Sequence, residues 1–251
     1  MLMGLFLKGR LRHDLSERER RALEGTIART VKLAPRSTLV TRGDRLENSY
    51  YLIDGVMLRH LDDKRGDRQL VEVNIAGDFV DLHGYAMKRL DHNVQSLTNV
   101  TLAEVPHTAL SQVVEEFPHL GRALWFSTLL DAAIHRQWIL KMEELPAPRR
   151  VAHIFAELWH RLDLVGLGRR DGLRTPLIQA DLADMCGTTA IHMNRALGVM
   201  RKEGIAEFRR GSLYVPNRAK LEAFAGFNPD YLYGEGGLRV GGELTAPTRS
   251  R

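Results

Sequence analysis

The chain has 251 residues, of which 44% are hydrophobic and 27% are charged, the ordinary composition of a globular protein. Its net charge of +5 favours an acidic partner such as nucleic acid, without proving one. Its single cysteine, Cys186, excludes an internal disulfide and a four-cysteine iron–sulfur cluster, and helical spacing predicts that Cys186 is buried. There is no run of about 18 apolar residues, so we expect a cytoplasmic protein with no transmembrane helix.

A short helix and a series of strands are predicted in the first 105 residues. Ser16 and Glu19 have the spacing of a helix N-cap and its capping-box partner. Turn signals such as Asp54-Gly55 and Gly77-Asp78 separate the runs that follow. The predicted strands are 31–33, 38–41, 50–53, 56–60, 69–75, 79–82 and 101–105. Short strands at near-regular spacing predict a β-sandwich or a barrel.

One long helix is predicted from 118 to about 145. It is apolar over so much of its surface that two of its faces must be buried. One face would pack on the barrel and the other on something else, unless this is the core helix of a monomer. The apolar stripe is Leu120, Leu124, Ser127, Leu130, Ile134, Trp138 and Leu145, widened by Trp125, Phe126, Leu129 and Ile139. Pro146-Ala147-Pro148 ends this helix and predicts a hinge.

Residues 179–205 have the pattern of two short helices joined by a tight turn. Gly187 can adopt the positive φ of such a turn, and Thr188 or Thr189 can cap the second helix. The apolar stripes are Leu182, Met185 and Cys186 in the first helix and Met193, Leu197 and Met200 in the second. This arrangement is the helix-turn-helix unit.

Polar side chains cluster at the exposed N-terminal end of the second helix. In a major groove, Arg195 can pair bidentately with guanine, Asn194 with adenine, and Ile191 can touch a thymine methyl. An ordinary helical hairpin with a solvated face is the alternative interpretation.

A hairpin is predicted directly after this helix, with strands at 205–209 and 213–215, and it would form a wing. Arg209 and Arg210 at its tip would reach phosphate. Residues 146–227 hold 13 basic and eight acidic residues, which also suits an anionic partner. The candidate DNA-contacting residues are Thr188, Thr189, Ala190, Ile191, His192, Asn194, Arg195, Arg209 and Arg210.

Residues 187–195 are followed by an Arg-Lys-Glu-Gly-Ile helix end and a short hairpin. This order resembles the C-terminal domain of the Crp/Fnr family of bacterial transcription regulators. The strand order, with glycines at Gly55 and Gly77, is similar to that family's β-roll. The resemblance implies an α+β fold with a β-roll at 10–117, a dimerisation helix at 118–145 and a winged helix-turn-helix at 146–227. It also implies a homodimer that binds a palindrome in double-stranded DNA, with Ile134 in the subunit seam, and RNA polymerase as a partner.

The tail, 228–251, holds five glycines and little apolar periodicity, so we expect it to be flexible.

The sequence leaves the identity of a small-molecule effector unknown. The family's cyclic-nucleotide members need a Glu and an Arg after the Gly-Asp-Phe turn, where this chain has Leu82 and His92-Asn93. Leucine cannot accept a hydrogen bond and a neutral imidazole is a poor phosphate partner, which argues against cyclic AMP or GMP. Lys88 and Arg89 lie nearby in a different register. There are two alternatives. The effector is a haem or another small molecule bound through His83 and His92, or the protein has no effector.

No catalytic motif is present: there is no nucleophile elbow, phosphate-binding loop, dinucleotide fingerprint or zinc-protease motif. We therefore predict a protein that is not an enzyme and carries no cofactor or metal. An architectural protein that uses its barrel only to dimerise is a further alternative.

Overall fold

The computed structural model describes residues 1–10, 14–64, 66, 68–170 and 172–234. Its helices are α1 (Glu17–Glu24), α2 (Gly84–Met87), α3 (His107–Glu116), α4 (Pro118–Glu144), α5 (Ala147–Val165), α6 (Gln179–Met185), α7 (Ala190–Lys202) and α8 (Arg218–Ala225). Its strands are β1 (Arg29–Leu33), β2 (Thr38–Val40), β3 (Asn48–Asp54), β4 (Val56–Asp62), β5 (Arg68–Ile75), β6 (Asn93–Ser96), β7 (Val100–Pro106), β8 (Gly172–Arg174), β9 (Glu207–Arg209) and β10 (Ser212–Tyr214). No helix in these ranges has the length and apolar character needed to cross a bilayer.

The first half of the chain folds into the predicted β-roll. One antiparallel sheet has the order β1-β7-β3 and the other β2-β6-β4-β5. Leu52, Met57 and Leu102 lie fully buried between them. The β3–β4 turn requires Gly55, whose φ is 96° and whose added Cβ would lie 2.5 Å from the Asn99 carbonyl oxygen. The capping box of Ser16 and Glu19 at α1 is confirmed.

One strand prediction is wrong, and one strand was missed. The predicted strand at 79–82 is reduced to a single bridge between Phe79 and Tyr51, because the chain turns at once into α2. Strand β6 was missed, since its Asn-Val-Gln-Ser sequence carries one apolar residue where a strand signal needs several.

Helix α4 has 27 residues and two apolar faces. Ile134 and Trp138 are buried within the chain, at 1% and 6% exposure. Trp125, Leu129 and Ile139 on the opposite side are 64%, 50% and 71% exposed. Ile134 is therefore covered by its own chain, and the prediction that it lies in a subunit seam is wrong. The apolar stripe alone does not show which face of α4 the barrel covers.

The second half of the chain forms a helical domain with a small sheet. The helix break after α4 falls where Pro146 is predicted to cause it, and α5 begins at Ala147. The sheet order is β8-β10-β9, so β8 adds a third strand to the predicted hairpin. Strand β8 was not predicted, because three residues give too short a pattern. Cys186 is fully buried, as predicted.

Residues 228–234 are packed, which corrects the prediction of a flexible tail for this part of it. Pro229–Leu232 forms a 3-10 helix in which Leu232 is fully buried. The Tyr231 hydroxyl donates to Glu157 at 2.6 Å, and the Arg10 guanidinium donates to the Leu232 carbonyl. Residues 235–251, the rest of the predicted tail, lie outside the described residues.

Candidate nucleic-acid interface and cavity

Helices α6 and α7 form the predicted helix-turn-helix. Gly187 in the turn has φ 57°, in the left-handed region. The Thr189 hydroxyl caps α7 by accepting from the His192 N–H at 3.3 Å, as the sequence predicts. Met193 and Met200 are buried against the domain core. The packing of this face fixes which side of α7 points to solvent.

The opposite side of α7 is exposed. Ile191 is 67% exposed, and the other exposed candidates on this side are Thr189, Ala190, His192, Asn194 and Arg195. Thr188 is half-buried within the turn. An open hollow of about 440 Å³ is lined by Gln179, Ala190, Ile191, Asn194 and Arg195. The structure thus brings the candidates of α7 together on one accessible surface.

Gln179, at the first position of α6, is a member of this surface that sequence reasoning missed. Its amide nitrogen donates to the Ala190 carbonyl at 2.9 Å, and its amide oxygen lies 3.5 Å from the Asn194 amide nitrogen. Fifteen residues separate Gln179 from Asn194, so no periodic signal connects them.

The wing candidates Arg209 and Arg210 lie at the end of the β9–β10 hairpin, where Arg210 has φ 47° and Gly211 φ 72°. The Arg209 guanidinium is 2.6 Å from a Glu207 carboxylate oxygen, which offsets part of its charge. Arg210 is exposed and forms no ion pair with any described residue. Strand β8 adds exposed Arg174 beside the hairpin, another residue that sequence reasoning missed.

A second feature is a cavity of about 560 Å³ between the β-roll, α4 and α6. His83 and His92 line it with ring centroids 5.2 Å apart, so the two histidines singled out from the sequence lie together. Burial lowers the pKa of His83 to about 3 and also lowers the pKa of His92, which leaves both imidazoles neutral at pH 7. The Nε2 atom of His92 is buried without a hydrogen-bond partner.

The Arg59 guanidinium in the cavity wall is already neutralised by carboxylates. Arg59 is 1% exposed, pairs with Glu72 and with Asp131 at 3.0 Å, and donates to the Val80 carbonyl at 2.8 Å. Asp91 and Asp131 also line the cavity. Such a wall disfavours a phosphate, because an anion would meet the carboxylates of Asp91 and Asp131 while the Arg59 guanidinium is already paired.

The other residues that follow the Gly77-Asp78-Phe79 turn have partners outside the cavity. Leu82 packs in the hydrophobic core with Phe79, and Lys88 lies 4.9 Å from the Tyr85 ring centroid. The Arg89 guanidinium donates to the Gly43 carbonyl at 2.7 Å. Across the described residues, no group of three or more His, Cys, Asp and Glu side chains is arranged to hold a metal ion.

Two family models match this chain. A cyclic nucleotide-binding domain matches residues 30–117, and a Crp-like helix-turn-helix domain matches residues 149–224. The transcriptional activator protein FnrL of Cereibacter sphaeroides is 25% identical over 209 residues, which cover 81% of each chain. The nitrogen fixation regulation protein FixK of Bradyrhizobium diazoefficiens is 23% identical over 79% of this chain and 83% of its own. The solved structure of FixK2 from Bradyrhizobium japonicum has the same fold, with a TM-score of 0.72 and 19% identity over 79% of this chain and 97% of that one.

Proposed function

The chain belongs to the Crp/Fnr family of DNA-binding transcription regulators, and on that premise we propose that it reads a palindromic operator as a homodimer. The observation that carries the proposal is the exposed surface of α7, whose polar side chains lie at the N-terminal half of a capped helix. In a helix-turn-helix protein, this part of the second helix reaches base edges in the major groove. Acting on chromosomal genes in the cytoplasm, such a regulator has RNA polymerase as a further partner.

Each side chain of this surface has its own role. Arg195 offers two parallel donors to guanine, Asn194 a donor and an acceptor to adenine, and Ile191 an apolar contact to a thymine methyl. Thr188, Thr189, Ala190 and His192 lie at the turn and first turn of the helix, where backbone and hydroxyl groups meet phosphate. Arg210 and Arg209 reach phosphate from the wing.

The outward face of α4 supports the homodimer. Trp125, Leu129, Ala132, Arg136, Ile139 and Glu143 follow one another at alternating spacings of four and three, the pattern of a coiled-coil seam. Large apolar side chains exposed along such a seam mark an interaction surface. Two α7 helices related by the resulting two-fold axis would read two half-sites about 34–36 Å apart.

The experiment that tests the reading role is a competition assay between a preferred duplex and a scrambled one. Arg195→Ala should lose roughly 5- to 150-fold of discrimination, corresponding to about 1–3 kcal/mol for a bidentate base contact. Arg201→Ala is the matched control, because it removes the same charge from an exposed position at the far end of the same helix. Equal discrimination in the two variants would contradict the assignment of Arg195 to base reading.

A second candidate concerns the effector. The neutral His83–His92 pair lies in a 560 Å³ cavity, and His92 donates its Nδ1–H to Asp91, so its unpartnered Nε2 atom carries a lone pair. This favours a haem iron, or another small molecule that donates a hydrogen bond to the imidazole, over a cyclic nucleotide. Haemin added to the purified protein should give a shifted Soret band that His92→Ala abolishes. His153→Ala, a substitution of a buried histidine outside this cavity, should leave the band unchanged. An unchanged haemin spectrum would exclude haem as the effector. The remaining alternatives would be a different small molecule or a regulator without an effector.

A further inference from the structure

The β-roll holds α6 through ion pairs that cross between the two halves of the chain. On β5, the Arg68 Nη2 atom lies 2.6 Å from Asp181 Oδ1 and 2.9 Å from Asp184 Oδ2. The two terminal nitrogens of Arg36, in the turn before β2, each lie 3.3 Å from a carboxylate oxygen of Asp181. We refer to Arg36, Arg68, Asp181 and Asp184 as the latch.

The latch is built into the fold and is not a chance surface contact. Asp181 has a fully buried side chain, and one of its oxygens also accepts from the Ile178 N–H at 3.0 Å, which closes the first turn of α6. Burial raises the pKa of Asp181, but its hydrogen bonds to this N–H and to both arginines bring it below the usual value. Two-pronged arginine–carboxylate pairs of this kind also fix orientation, because both partners are planar.

The latched arrangement leaves the reading surface open. Ile191 and Arg195 stay exposed, and no described residue of the β-roll covers them. Because α7 packs on α6, holding α6 also fixes the direction of α7 relative to the β-roll and to the seam face of α4. We propose that Arg68 and Arg36 are positioning residues for DNA binding, which hold α7 in the orientation that lets both subunits engage one operator.

This inference rests on the proposed function and adds a specific consequence to it. A domain released from the latch samples many orientations, so the apparent affinity for a full operator falls with the fraction that is correctly placed. A duplex with a single half-site needs only one reading domain, and its affinity should not depend on the latch. Loss of full-site affinity with unchanged half-site affinity is therefore the signature of a positioning role.

The test compares Arg68→Ala with wild type on the full palindrome chosen by the wild-type protein and on one of its half-sites. We expect a full-site loss of at least about fivefold, at the low end of measured coupling between sites, and no half-site loss. Arg45→Ala is the matched control, because it removes an exposed, ion-paired arginine of the same β-roll and the same net charge. Arg68→Lys should restore part of the full-site affinity.

Asp184→Asn gives an independent check should Arg68→Ala fold poorly. It removes a negative charge, which by bulk electrostatics alone would strengthen DNA binding. If the latch positions α7, Asp184→Asn should instead weaken the full-site affinity, which is opposite to the electrostatic effect. Without DNA, amide hydrogen exchange in α6 should quicken in either variant, while α4 stays protected.

Two results would overturn the latch: equal losses on full site and half-site, or wild-type affinity and exchange in both variants. If the wild-type protein selects no palindrome, the proposed function fails, and the exchange experiment alone then decides whether the latch holds α6.

Discussion

At the scale of single residues, the two wing arginines are predicted to differ. Arg210 forms no ion pair with a described residue, whereas Arg209 lies 2.6 Å from Glu207. Arg210→Ala should therefore make the negative slope of log K against log salt shallower by about 0.9, the value for one phosphate contact. Arg209→Ala should lower it less, and neither should alter the ratio of specific to non-specific affinity. A change in sequence preference in the Arg210 variant would contradict a phosphate role.

Lys141, near the end of α4, gives a prediction about stability. Its ammonium is buried without a hydrogen-bond partner, 3.8 Å from the Trp138 ring centroid, and burial lowers its pKa to about 8. Because the folded-state pKa lies below the unfolded value, the charged form destabilises the fold below pH 8, and the penalty disappears as pH rises towards about 10.4.

Lys141→Met keeps the length of the side chain and removes the buried charge. Its expected effect at pH 7 is a gain of about 1–3 kcal/mol, after the lost contact with the Trp138 ring is counted. Urea denaturation of variant and wild type at pH 7 and pH 10 measures this, and the gain should shrink at pH 10. A less stable variant at pH 7 would mean that the attraction between the Lys141 ammonium and the Glu157 carboxylate outweighs the cost of burying the charge.

Residues with local partners were predictable from sequence, and residues with distant partners were not. The Thr189 cap and the Ser16–Glu19 box follow from spacings of three residues. Arg68 and Asp181 are 113 residues apart, and their pairing depends on how the two halves of the chain pack. The cavity in which His83 meets His92 likewise depends on which face of α4 lies against the β-roll, and the apolar stripe alone does not show that face.

At the scale of elements, α4 carries the prediction about assembly. Ile139 is 71% exposed in one chain, so Ile139→Asp should leave the fold intact and place an unpaired charge in the seam of a dimer. Light scattering should then report a monomer, with weaker binding to a palindrome. Leu167→Asp, at an exposed apolar residue outside α4, is the control and should remain dimeric. A dimeric Ile139→Asp protein with normal binding would locate the seam elsewhere.

The elements themselves were predictable where a pattern runs long enough to be recognised. Helices α4 and α7 follow from apolar spacing over many residues, and β3, β4, β5 and β7 follow from apolar runs between turn signals. Strands β6 and β8 are four and three residues long, so their pairing partners rather than their own residues define them. The packing of 228–234 has the same origin, since Tyr231 bonds to Glu157, 74 residues away.

At the scale of the whole molecule, the cavity links the β-roll, α4 and α6, and its charges predict what it does not bind. With Arg59 committed to Glu72 and Asp131, millimolar cyclic AMP or GMP should change neither the melting temperature nor DNA affinity. A ligand at about 1,000 times its dissociation constant stabilises a protein by roughly 4 kcal/mol, which is several degrees in melting temperature. A clear thermal shift with either nucleotide would show that the cavity rearranges to accept a phosphate.

Selection of bound duplexes from a random DNA pool tests whether the protein reads a palindrome as a dimer through α7. The wild-type protein should enrich an inverted repeat whose half-sites lie about one helical turn apart, centre to centre. Arg195→Ala, selected in parallel, should lose the preference at one symmetric pair of positions. Enrichment of a single unrepeated site, or of no sequence at all, would show that the protein does not read a palindrome as a dimer.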